Sequence, residues 1–219
     1  MKTGRLILLN IIILIILVGG GFAAYSYYNN TVNYISTENA QIAGQQVTIS
    51  APASGKLTKW DAKVGDHFAK DEQIGSVITA ATGAGTAPAE IKITLPSDGT
   101  VVQTSAVKDS FVAAGMPLAQ MFDLENLWVT ANIEETSIDE MAIDQEVDIY
   151  VDAFPNTTLK GRVENIGLAT SGTFSLLPNT NAAGNYTKVT QVIPVKIAIE
   201  DYKGLQLVPG MNVTVRVHK

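Results

Sequence analysis

The chain has 219 residues, a formal net charge of −6, 46 % hydrophobic and 16 % charged side chains, and no cysteine. That length accommodates one large or two small domains with a real core. The acidic balance argues against nucleic acid as a partner, since phosphate contacts need a basic surface, and the lack of cysteine excludes disulfides, thiolate metal sites and cysteine catalysis.

The first predicted element is an apolar helix. Leu6 to Ala24 carries no charge, and Asn10 is its one clearly polar side chain. At about 1.5 Å per residue it spans about 28 Å, close to a hydrocarbon core of about 30 Å. Lys2 and Arg5 precede it and place the N-terminus on the cytoplasmic side. Tyr25, Tyr27 and Tyr28 follow, where an interfacial aromatic belt belongs. The competing reading is a cleaved signal peptide, with Gly21 and Ala23 as a small-x-small site before Ala24. The run exceeds the about 7–15 residues of a signal core, which favours a retained single-pass anchor and an extracytoplasmic body. Residues 1–28 are therefore expected to be a cytoplasmic stub and anchor, 29–36 a polar linker, and 37–47 the first strand of a β-barrel.

Strand signals dominate beyond the linker. Val47 and Ile49 alternate with polar residues, as do Leu127, Val129, Ala131 and Ile133, then Val147, Ile149 and Val151. Ile193, Val195, Ile197 and Ile199 repeat the pattern, followed by Val213, Val215 and Val217. Period-two alternation puts one face on a core and one in water. Many such strands between Gly, Pro and Asn predict a mostly β chain, a sandwich or barrel. One short helix is expected, with Ser137 and Glu140 at capping-box spacing and Ile138 and Met141 on one apolar face. The acids around it (Glu134, Glu135, Asp139, Glu140, Asp144, Glu146 and Asp148) lack EF-hand spacing and read as a solvated exterior. His67 and His218 fit no zinc or triad spacing, so no metal, cofactor or catalytic residue is expected.

The chain also contains an internal repeat. Ile49-Ser-Ala-Pro52-Ala-Ser-Gly55, Val64-Gly-Asp66-His-Phe68 and Ile74 are echoed by Ile93-Thr-Leu-Pro96-Ser-Asp-Gly99, Val107-Lys-Asp109-Ser-Phe111 and Leu118. This alignment needs a one-residue slip in the middle. It predicts two turns per half, set by Pro52, Gly55 and Asp66 and by Pro96, Gly99 and Asp109, with Phe68 and Phe111 returning to the core. Neither half can bury its apolar face alone, so the two should pack together.

This pattern resembles the biotinyl/lipoyl domain over roughly Thr48 to Asp123. The resemblance implies a lipoyl-like β-sandwich over 48–123, with halves 48–78 and 91–123 and a short connector 79–90, followed by a β-barrel domain over 124–219. The connector contains no lysine, and Lys92 lies past it without the usual neighbours, so a swinging-arm carrier role is disfavoured.

Three further stretches resemble the HlyD-type membrane-fusion (periplasmic adaptor) family, in its EmrA-like branch. They are Ser36-Thr-Glu-Asn-Ala-Gln-Ile-Ala-Gly44; Leu127-Trp-Val-Thr-Ala-Asn-Ile-Glu-Glu-Thr136 with Val151-Asp-Ala-Phe-Pro155; and Phe174-Ser-Leu-Leu-Pro178, Asn181-Ala-Ala-Gly184-Asn185, Lys188-Val189, Gln191 and Pro194-Val195. Gln41 and Asp144 depart from the family pattern, which has Tyr and Gly there, and Asp tolerates the left-handed geometry such a Gly adopts. The long α-helical hairpin that the family inserts between the lipoyl halves is missing. The resemblance implies a non-enzymatic adaptor in the cytoplasmic membrane, partnered with an inner-membrane exporter, by preference a proton-driven major-facilitator pump and otherwise an ABC exporter. It also implies a homo-oligomer. The loop Ser171 to Lys188 is the candidate contact surface, with Phe174, Leu176, Leu177, Pro178, Asn181, Asn185, Lys188 and Gln191 its residues. Its apolar members either meet the pump, a neighbouring subunit or a hydrophobic substrate, or seal one end of the barrel. The rival function classes are an envelope or sensor ectodomain and a biotin/lipoyl carrier subunit.

Overall fold

The computed structural model describes residues 2–79, 88–174 and 190–219; within 2–33 it describes side chains at 4, 11–22, 25, 28 and 33, and at 174 it describes the backbone alone. Helix α1 (Lys2–Asn33) passes directly into strand β1 (Tyr34–Ala43). The linker expected over 29–36 is thus not a separate segment. Its polar residues include no Gly or Pro to break the helix, and Ile35, buried to 7 % exposure, already belongs to the barrel. The large side chains from Ile11 to Val18 are all exposed, so the rest of the chain does not cover them. Among the described residues no helix is long and apolar enough to cross a membrane; the side chains of residues 6–10, part of the expected span, lie outside them.

The chain forms two compact units, 1–41 with 129–203 and 212–219, and 42–128 with 204–211. The second is a sandwich of eight strands: β2 (Gln46–Ser50), β3 (Gly55–Trp60), β4 (His67–Phe68), β5 (Gln73–Ile78), β6 (Glu90–Thr94), β7 (Gly99–Thr104), β8 (Phe111–Val112) and β9 (Pro117–Phe122). One sheet has the order β2-β9-β7-β4, the other β6-β5-β3-β8. Exchanging each strand for its repeat counterpart turns one sheet into the other. The halves are therefore interleaved, and both feed one core that includes Ile49, Leu57, Ile74 and Val77 from the first and Ile93, Val101, Leu118 and Met121 from the second.

The repeat runs at a constant spacing of 44, as from Pro52 to Pro96 and Gly55 to Gly99, with no slip. Hydrogen bonds prove the correspondence. Gly65 N–H donates to Val101 O at 2.8 Å and Asp109 N–H to Leu57 O at 2.7 Å. Val101 N–H donates to Asp66 O at 3.0 Å and Leu57 N–H to Ser110 O at 2.9 Å. Asp109 is thus the counterpart of Gly65, both with positive φ (69° and 94°), and Asp66 that of Ser110. Phe111 corrects the expected return to the core, being 81 % exposed. Its neighbour Val112 is buried in the place that half-buried Phe68 takes in the first repeat. Pairing Asp66 with Asp109 and Phe68 with Phe111 follows chemical identity and departs from the backbone register, and a one-residue shift in a strand changes its face.

The other unit holds a closed barrel of β1, β10 (Trp128–Glu134), β11 (Glu146–Val151), β12 (Thr158–Ile166), β13 (Val192–Ile199) and β14 (Asn212–His218), in the order β1-β10-β13-β12-β11-β14. The alternating residues Val147, Ile149, Val151, Leu159, Val163, Val195, Ile197, Val213, Val215 and Val217 fill it, each at 0–1 % exposure. The expected capped helix is instead a 3₁₀ helix, Glu135–Glu140, whose N-cap position is Glu134 and carries no side-chain cap. Ser137 lies within it, so no capping box forms; six residues suit the tighter helix, used in short pieces. Met141, just after it, is buried. Asp144 starts the turn into β11 with φ of 73°, the left-handed geometry expected of it.

Candidate partner-binding surface

The barrel end that meets α1 collects most of the irregular segments of this unit. Tyr34, the first residue of β1, pairs with His218 near the end of β14, and Lys219 N–H donates to Asn33 O at 3.0 Å. Strand β10 ends there too, and Glu135 N–H then donates to Gln191 O at 3.0 Å. The β12–β13 hairpin closes at the same end, with Ile166 opposite Val195 and Gly167 N–H donating to Pro194 O at 2.8 Å. The long segment between β12 and β13 therefore leaves and returns where the helix enters.

Asn132 ties this end together. Its carbonyl accepts from Thr37 Oγ1 at 3.1 Å and its Nδ2 donates to Asn39 Oδ1 at 3.1 Å. Its Oδ1 accepts from Ser171 Oγ at 3.4 Å, at the start of the 3₁₀ turn Ser171–Phe174. Phe174 closes that turn. Leu176, Leu177, Pro178, Asn181, Asn185 and Lys188 lie outside the described residues. Gln191 is half-buried, and its Oε1 would stand 2.7 Å from a Cβ at Gly172, so the turn and the returning strand approach closely. The structure thus brings Gln191 and the Ser171–Phe174 turn together.

Two side chains at this end escape a sequence reading. Ile143 and Leu168, in the turns next to Asp144 and Gly167, are 66 % and 104 % exposed. A lone aliphatic residue in a polar turn is the signal that marks them. A polar pocket of about 270 Å³ lies nearby, lined by Tyr34, Ser36, Glu134, Ser137, Glu140 and Lys219 among others. On the barrel wall, burial works against ionisation of Asp148, but hydrogen bonds from Lys160 and His218 outweigh it and hold the carboxyl below its usual range. Among the described residues no group of three or more His, Asp or Glu is placed to hold a metal ion.

The repeat-turn residues have structural roles. Pro52 and Pro96 are exposed where β2 and β6 end. Gly55 and Gly99 allow close approach, since a Cβ would stand 2.2 Å from Ile78 O at the first and 3.0 Å from Phe122 O at the second. Asp66 Oδ2 accepts from Lys63 N–H at 2.9 Å, and Asp109 pairs with Lys56 at 2.8 Å. Lys92 lies within β6, opposite Ser76, away from a hairpin tip.

Residues 45–123 match the family described as the YhbJ barrel-sandwich hybrid domain, and residues 126–219 the CusB-like β-barrel domain. Over 217 residues the chain is 42 % identical to YhbJ of Bacillus subtilis (strain 168), named a candidate efflux system component, covering 99 % of this chain and 94 % of that one. The chain belongs to the membrane fusion, or periplasmic adaptor, family. It is an EmrA-like member: the multidrug export protein EmrA of Escherichia coli (strain K12) is 30 % identical over 209 residues, 89 % of this chain but 53 % of EmrA. The chain thus spans about half of that relative. Solved structures of the membrane fusion family share the fold. The periplasmic adaptor EmrA matches with a TM-score of 0.53 at 12 % identity, over 86 % of this chain and 99 % of that one. MacA of Actinobacillus actinomycetemcomitans matches with a TM-score of 0.65 at 15 % identity, over 85 % and 79 %.

Proposed function

We propose that this chain is the membrane-anchored adaptor of an efflux system, acting with an exporter in the cytoplasmic membrane and catalysing no reaction. Helix α1 crosses the membrane with its N-terminus inside, and both β-units are extracytoplasmic. The observation that carries this reading is that both ends of the segment between β12 and β13, the 3₁₀ helix Glu135–Glu140 and the end of α1 meet at one end of the barrel. An anchor entering at that end turns it toward the membrane, where an exporter presents its outer surface. Confinement to one membrane raises the effective concentration of the two partners. The family resemblance favours a major-facilitator exporter over an ABC exporter, and several copies acting together. Residues Phe174 to Gln191 are the proposed contact.

Deleting the gene should raise the sensitivity of the cell to some toxic compounds. The full chain should restore resistance, and a chain lacking residues 2–33 should not. Unchanged sensitivity across a broad compound panel, with no transporter captured by crosslinking from the intact membrane, would overturn the proposal.

A further inference from the structure

Helix α1 has no separate linker at its far end, and that end is fixed to the barrel from more than one side. Asn33 O accepts from Lys219 N–H at 3.0 Å, and the next residue, Tyr34, already pairs with His218. The Tyr34 and His218 rings meet edge to face with 4.8 Å between centroids, and the Arg216 guanidinium carbon stands 5.6 Å from the centre of the Tyr34 ring. His218 Nε2 in turn lies 3.0 Å from Asp148 Oδ2 on β11. The helix end therefore cannot pivot without breaking contacts that run across β1, β14 and β11.

Nearer the anchor the helix stands clear of the barrel, with Phe22, Tyr25 and Tyr28 exposed. Residues 29–33 are Asn, Asn, Thr, Val and Asn, all weak helix formers. A stretch this short would not nucleate a helix by itself; here the helix is propagated into it from the anchor and tied down at Asn33. From Ala24 to Asn33 the rise is about 14 Å at about 1.5 Å per residue. The headgroup layer of one leaflet takes up about 5–7 Å of that, so the barrel begins clear of the lipid.

We propose that residues 25–33 are a rigid stalk that holds the barrel off the membrane and locks its rotation to that of the anchor, so that one exporter is gripped by a face of the anchor and by the barrel end together. This rests on the adaptor reading above, in which α1 crosses the membrane. A membrane helix can sink or tilt to absorb a small change in height at modest cost. Rotation is not absorbed in this way, because turning the anchor to recover one contact turns the other away.

The absence of cysteine makes every introduced thiol unique. The full chain, spin-labelled at Leu14→Cys and Leu168→Cys and diluted with unlabelled chain in phosphatidylcholine–phosphatidylglycerol vesicles, should give one distance distribution by pulsed electron paramagnetic resonance. It should be as narrow as that of a pair within the barrel, Asp152→Cys with Leu168→Cys. A broad distribution for the first pair beside a narrow one for the second overturns the stalk. Two alanines inserted after Tyr28 turn the barrel by about 200° and lengthen the stalk by about 3 Å, whereas four turn it by about 40° and lengthen it by about 6 Å. In a strain lacking the gene, the two-residue insertion should lower the restored resistance at least about fourfold, and the four-residue insertion should keep it within about twofold of the unaltered chain. Equal resistance with both insertions, or a loss that grows with length, overturns the rotational lock. An unaltered chain that restores no resistance overturns the adaptor reading instead, and the spin-label distances still decide whether the stalk is rigid.

Discussion

At the residue scale the two glycines of the repeat behave differently although they share one sequence position. A methyl group at Gly55 meets the backbone oxygen of Ile78 at 2.2 Å, whereas at Gly99 the nearest atom is the flexible end of Met121 at 2.5 Å. Gly55→Ala should destabilise the chain by about 2–3 kcal/mol, and Gly99→Ala by about 1 kcal/mol, in urea unfolding. Asp148 supplies a pH dependence with a defined sign. Its folded carboxyl titrates below the ordinary 3.8, so it contributes stability that is complete above that value and is lost as pH falls through the lower folded value. Acid unfolding of Asp148→Asn should therefore be shallower than that of the wild type below about pH 4. Equal slopes in a pH series would contradict the pairing with Lys160 and His218.

At the element scale, alternation told which strands exist because a half-buried strand must alternate. It failed where one or two residues carry the element. β4 and β8 are two residues long, too short for any period, so the sequence puts Phe111 in the core where Val112 fills that place. The helix-to-strand passage at Asn33 reads as a linker in the sequence because its polar composition signals solvent, and a helix leaving an apolar block is just as polar. The barrel interior was legible in full detail at Val213, Val215 and Val217. Ile197, at 0 % exposure, should cost about 2–5 kcal/mol when changed to Ala, read from the urea midpoint. The proposed contact surface was legible only as a motif. Its fixed ends, Gln191 and the Ser171–Phe174 turn, are set by partners far away in sequence, the Glu135 backbone for the first and the Asn132 side chain for the second, which no local pattern encodes.

At the scale of the whole molecule, the interleaving of the repeats binds each half to the other through every outer strand. β2 pairs with β9 and β6 with β5, so a sandwich nicked within residues 80–87 should remain one particle on a native gel and separate only on denaturation. The lipoyl-like arrangement was visible in the sequence because the repeat is, whereas its exchange of strands is a property of pairing that no single half contains. One further property of that pairing bears on how such chains diverge. Thr79 N–H donates to Ala89 O at 3.0 Å, which clasps the two stems of the connector side by side. A clasp of this kind is indifferent to what it carries, since added chain begins and ends at neighbouring points and leaves the buried layers untouched. The chain can therefore gain or shed a whole projecting arm at this site as one event, with its reach altered and its interior intact.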